Sequence, residues 1–227
     1  MKIFPVAAFC AAFVGVAGVS NAATGDFGGF APAAVLGTDV DLGGGIVADI
    51  TATGGTNQAV VFNTVPPVTG NDLDLASPFA NAENLSEVRG FGNALIVQEN
   101  PGNPDIIPDD VVGGSLLFEF TKSIFLYEVF LLDTAEDTFV SLFSGTTLVA
   151  KLDVTGSNES ETSNNKTPNE FTVLDFDGAK GDSLFVSFLE SGALGEFNAT
   201  VVPVPASLPL LVGGFGLMAF MRRRRKA

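Results

Sequence analysis

Carboxylates are almost the only groups with which this chain could do chemistry. It carries 26 aspartates and glutamates, no histidine, no tryptophan and a single cysteine, Cys10. Without histidine, and with its one thiol inside an N-terminal apolar run, it cannot assemble a Ser-His-Asp triad, a Cys-His pair or a histidine- or cysteine-based zinc site. Carboxylates can still act in two ways. A pair flanking a sugar can hydrolyse a glycosidic bond, but carboxylates are too abundant here for any pair to stand out, and the usual aromatic sugar platform is missing. No enzyme is expected. Several carboxylates converging with amides and carbonyls can instead hold Ca²⁺, a hard cation that takes six to eight oxygens.

The candidate calcium ligands come from four separate stretches. They are Asp72 and Asp74 in Asn71-Asp72-Leu73-Asp74-Leu75, Glu99 at the end of Gly92 to Glu99, Asp109 and Asp110 before Gly113-Gly114, and Asp133 after Leu132. Loops at strand ends could bring them to one ion. An EF-hand is excluded, because Asp72-Leu73-Asp74 lacks the glycine and glutamate at the required offsets. Each aspartate has an ordinary alternative role, capping a turn by accepting a hydrogen bond from its own backbone.

Positioning such loops requires strands, and the dominant hydrophobic period is two. Leu116, Phe118 and Phe120 alternate with Leu117 and Glu119; Phe125, Tyr127, Val129 and Leu131 with Leu126, Glu128 and Phe130; Leu184, Val186 and Phe188 with Phe185 and Ser187. Further strands are predicted at 46–50, 59–62, 94–98, 138–143, 147–154, 171–176 and 197–201. Gly54-Gly55, Pro66-Pro67, Gly113-Gly114, Gly145, Gly178 and Gly181 should separate them. The polar run 156–169 reads as an exposed loop. With no sustained period of 3.6 between the ends, the fold expected for residues 24–201 is all-β, an antiparallel two-sheet sandwich of jelly-roll type. Its core should be filled by phenylalanine, of which the chain has 21.

The two ends read as addresses. Lys2, the apolar run from Ile3 to Val19 and the small residues Ser20-Asn21-Ala22 have the three parts of a secretory signal helix, so signal peptidase should cut after Ala22 and remove residues 1–22. At the other end Val202, Pro203, Val204, Pro205 and Ala206 form a short motif that its prolines hold extended. An apolar stretch at 207–221 follows, then the basic cluster Arg222, Arg223, Arg224, Arg225 and Lys226. The apolar stretch is short for a transmembrane helix, but arginines can snorkel to the interface and would stay cytoplasmic. Residues 24–201 would then face outward, on the periplasmic side of the inner membrane before processing.

Motif, apolar helix and basic cluster in this order resemble the PEP-CTERM class of sorting tails, in particular the VPLPA-CTERM variant, with Val204 in place of leucine. The resemblance covers residues 202–227. It implies a substrate of an exosortase-type processing enzyme of Gram-negative bacteria and delivery to the cell surface or the medium, often alongside exopolysaccharide. The series D-x-D-L, G-N-x-L-I-x-x-E, P-D-D, F-x-F and L-x-D over residues 58–140 also resembles an uncharacterised extracellular β-domain found with such tails. No particular activity is implied by that second likeness.

Charge narrows the partners. Removing both ends leaves Arg89, Lys122, Lys151, Lys166 and Lys180 against all 26 acidic residues, a net of −21. Nucleic acid, bound through Lys and Arg on phosphates, is excluded. The expected role is structural or adhesive, at the surface or in a biofilm matrix. The alternative is a calcium-dependent carbohydrate-binding module, which would need a cation site and an aromatic-lined groove.

Overall fold

Runs of β-branched and aromatic residues broken by Gly, Asn and Asp set the strands out along the chain. The computed structural model describes residues 22–68, 75–98, 113–134, 138–154, 169–189 and 192–203. Among them every regular element is a strand: β1 (Ala23–Gly25), β2 (Val35–Leu36), β3 (Val40–Asp41), β4 (Val47–Thr53), β5 (Ala59–Asn63), β6 (Phe79–Asn81), β7 (Val88–Arg89), β8 (Asn93–Val97), β9 (Gly114–Leu132), β10 (Phe139–Ser144), β11 (Thr147–Asp153), β12 (Asn169–Phe188) and β13 (Ala193–Val201). The chain is all-β here, and no described helix is long and apolar enough to cross a membrane.

All thirteen strands are linked by hydrogen bonds in the order β11-β10-β12-β9-β13-β8-β5-β2, with β1, β3, β4, β6 and β7 attached at the sides. Every pairing is antiparallel except that of β6 with β12. The continuity comes from β9 and β12, which are 19 and 20 residues long where about five or six is usual. Each changes neighbours halfway. β9 pairs with β4 over Ser115 to Phe120 and with β13 over Ile124 to Leu132. β12 pairs with β6 near its start and with β10 over Ser183 to Ser187.

This corrects the expectation that Gly178 and Gly181 separate two strands. Both lie inside β12, because the turn chemistry there makes bulges instead of a reversal. Asp177 and Gly178 take left-handed φ values of 50° and 69°, and the register with β9 jumps from Asp175–Glu128 to Ala179–Leu126. A second jump follows Gly181. A Cβ at Gly181 would lie 2.6 Å from the backbone oxygen of Phe143, so only glycine lets β12 approach the end of β10 that closely.

Two buried clusters result. The larger gathers Ile50, Leu116, Phe118, Val140, Leu142, Leu184 and Val186 from one half of the sheet, with Val61, Leu95, Leu126, Leu131, Leu174 and Phe197 from the other. The smaller holds Val60, Phe62, Leu75, Phe79, Phe91, Ala94, Ile96, Phe130, Leu132, Phe171 and Ala193. Alternate residues of β5, β8 and β9 serve one cluster or the other. Ala-Val-Val-Phe in β5 and Ala-Leu-Ile-Val in β8 are therefore unbroken apolar runs, as strands covered on both faces must be. Each fully buried phenylalanine adds about 2 to 3 kcal/mol of hydrophobic stabilisation.

Candidate functional site

Of the six expected calcium ligands, Asp72, Asp74, Glu99, Asp109 and Asp110 lie outside the described residues. Asp133 is described. It follows β9 with a left-handed φ of 46°, a conformation aspartate tolerates better than most residues, and its backbone N–H donates to the Glu170 carbonyl at 3.0 Å. Among the described residues no three carboxylates are grouped to hold a metal ion. Several described aspartates do cap turns: Asp26 accepts from Gly28 N–H at 2.8 Å, Asp41 from Gly43 at 3.0 Å and Asp175 from Asp177 at 2.8 Å.

The C-terminal motif is described only at its start. Val202 N–H donates to the Ser123 carbonyl at 2.9 Å, extending the pairing of β13 with β9 by one residue. Pro203 has no N–H to continue it and is exposed. Val204, Pro205, Ala206, the apolar stretch and the cluster Arg222 to Lys226 lie outside the described residues.

The structure assembles a polar strip that spacing alone did not reveal. Thr24, Asn198, Glu128 and Asp175 stand opposite one another across β1, β13, β9 and β12. The Thr24 hydroxyl donates to the Asn198 side-chain oxygen at 3.1 Å, and the Asn198 amide donates to Glu128 Oε2 at 2.6 Å. Nearer the start of β13, the register slips between Leu194 and Glu196. At Gly195 a Cβ would lie 2.9 Å from a ring carbon of Phe91. The bulge therefore turns both Gly195 and Glu196 toward the segment carrying β6 and β7, which covers the smaller cluster.

From β7, Arg89 meets that bulge. Its guanidinium forms a charge-assisted hydrogen bond and ion pair with Glu196. The guanidinium carbon also sits 4.9 Å from the ring centre of Phe91 and 4.4 Å from that of Phe130, within range of a cation–π attraction. Burial pushes the Glu196 carboxyl above its ordinary value; the Arg89 charge and hydrogen bond oppose this, while Asp26 and Glu128 add to it. The pair ties β7 to the bulge of β13. In sequence, the available signal was that Arg89 is the one arginine between the two ends of an acidic chain.

Beside Asp26 an open cleft of about 240 Å³ is lined by Gly29, Phe30, Asp41, Leu42 and Gly43. Its polar groups are two carboxylates already engaged at one oxygen each with glycine amides. No protein-family model matches the chain, and no curated protein sequence matches it significantly.

Proposed function

We propose that this is an exported protein of the cell surface or extracellular matrix, cut and sorted through residues 202–226 by an exosortase-type enzyme, with a structural or adhesive role. The observation that carries the reading is the order of the C-terminal elements: a proline-spaced motif, an apolar stretch and a basic cluster, beginning where the last strand stops. Pro203 is exposed and denied ladder hydrogen bonds, as a substrate peptide must be before an enzyme can take it. We read the bent sheet, with one apolar cluster drawn from both of its halves, as a sandwich of jelly-roll type. In this reading signal peptidase, the processing enzyme and exopolysaccharide are the partners, and the membrane is met only through the tail.

Mass spectrometry of the mature protein from its native host tests this directly. The expected result is an N-terminus at Ala23 and no peptide containing Met218 or Arg222. Recovery of those peptides from the mature protein would overturn the sorting reading.

A second reading, a calcium-dependent carbohydrate-binding module, is favoured by the acidic runs Asp72-Leu73-Asp74 and Asp109-Asp110, with Glu99 and Asp133, in the segments that join strands. A cation bound only by the folded state raises the melting temperature by mass action, about 2.7 kcal/mol at a hundred times Kd. Failure of millimolar Ca²⁺ to raise it after chelation removes that reading.

A further inference from the structure

Strands at the margin of a sheet present unpaired N–H and C=O groups, and proteins keep them short to prevent unwanted pairing. Four marginal strands here obey that rule: β1 has three residues, and β2, β3 and β7 have two each. β11 has seven and pairs only with β10 among the described strands. It is also held in place. Gly145, in the tight turn between β10 and β11, donates its N–H to the Asp182 carboxylate at 2.8 and 3.1 Å. Beyond β11, Val154 N–H donates to the Thr138 carbonyl at 2.8 Å.

The usual guards of such an edge are weak here. A bulge does occur, but it falls at Val149 beside the turn and leaves Ala150 to Asp153 in unbroken register with β10. Lysine is a common guard of an exposed edge, but the one on β11 already has a partner of opposite charge. Lys151 is bound to Asp153 at 2.7 Å, and its ammonium lies 4.1 Å from the Phe139 ring centre. Leu148 and Val149 are 51% and 43% exposed.

We propose that the edge of β11 that no described strand pairs joins β11 of a second copy, antiparallel and about a two-fold axis at Leu152. In that register Lys151 of each copy stands opposite Asp153 of the other, Leu152 meets its own counterpart and Ala150 meets Val154. Opposite charges directly across an antiparallel pair stabilise it, and like charges destabilise it. The strand is thus complementary to itself, although the bodies around it, at −21 each, repel. Moderate salt should therefore tighten the dimer by screening the long-range repulsion. A two-fold contact consumes the edge of both copies, so association stops at two.

The test is sedimentation velocity of the full chain in mild detergent, from about 1 to about 100 µM, the range in which so small an interface should titrate. The expected result is a dimer that Lys151→Glu weakens at least tenfold, by placing four carboxylates around the axis. The exchanged pair, Lys151→Glu with Asp153→Lys, should restore it. A monomer throughout, a dimer indifferent to Lys151→Glu, or no recovery in the exchanged pair each overturns the proposal. Sorting through the tail is not assumed, so the outcome leaves that reading untouched.

Discussion

The two buried clusters share strands β5, β8, β9, β12 and β13 but are closed by different means. The larger is closed by the sheet itself, since both halves contribute strands that pair along their whole length through β9 and β12. The smaller is closed by a segment whose strands β6 and β7 have three and two residues, and which is held by the three-residue pairing of β6 with the start of β12 and a few flanking hydrogen bonds, by one ion pair, by one guanidinium lying over two rings and by the packing of Phe79 and Phe91. Backbone pairing that runs the length of a sheet opens only when the whole body unfolds, whereas a short cover can lift alone. Aromatic density compensates in part: Phe91 contacts Phe79, Phe130 and Phe171 at centroid distances between 5.4 and 5.9 Å. Stability in this body should therefore be graded from the first cluster to the second.

Phe118→Ala removes a fully buried ring from the larger cluster. It should cost about 4 kcal/mol, read as a lower urea midpoint with every amide exchanging faster. Arg89→Ala should cost about 2 kcal/mol, less than loss of a partner from a fully buried pair because the arginine side chain is 38% exposed. Exchange should quicken mainly in β6, β7 and the bulge of β13. Adding Glu196→Gln to Arg89→Ala should recover part of that loss, since no carboxylate is then left stranded. Equal protection in β6 and β11 of the arginine variant would show that the cover does not open separately.

The smallest effect is the dependence on pH. Burial raises the folded pKa of Glu196 above the ordinary 4.5, against the opposing influence of Arg89. A carboxyl raised on folding binds its proton more tightly in the folded state. Its contribution is therefore complete below the ordinary value and is lost as pH climbs through the folded one. The stability of Glu196→Gln relative to the parent should accordingly rise as pH climbs above the ordinary 4.5, as melting temperatures on either side of it would show. A constant difference would mean that Arg89 fully offsets the burial.

Much of the sheet was legible in the sequence, because alternation at Leu116 to Phe120 and Leu184 to Phe188 is the direct imprint of a strand covered on one face. The face expected at Phe125 to Leu131 was wrong: the register skips Tyr127, which is exposed, while Ile124 and Leu126 are buried and Val129 to Leu132 are covered on both faces. The continuous lengths of β9 and β12 were not legible. Asp177-Gly178 and Gly181 carry the composition of a turn, and only the neighbouring strands decide whether it reverses the chain or merely bulges. The short strands β1, β2, β3, β6 and β7 are too brief to show any period. Arg89 and Glu196 escaped notice for a related reason: they are 107 residues apart, and a slip in the register of β13 is what turns Glu196 toward its partner.

The end of β13 also decides how the body would bear tension. β13 is an interior strand, paired with β9 along one side and with β1 and β8 along the other, and the pairing continues one residue past it through the hydrogen bond from Val202 to Ser123. A pull at Pro203 directed along the strand would load those bonds together in shear instead of peeling them one by one. A body tethered at that point would be fastened through the middle of its sheet and not by a loose margin.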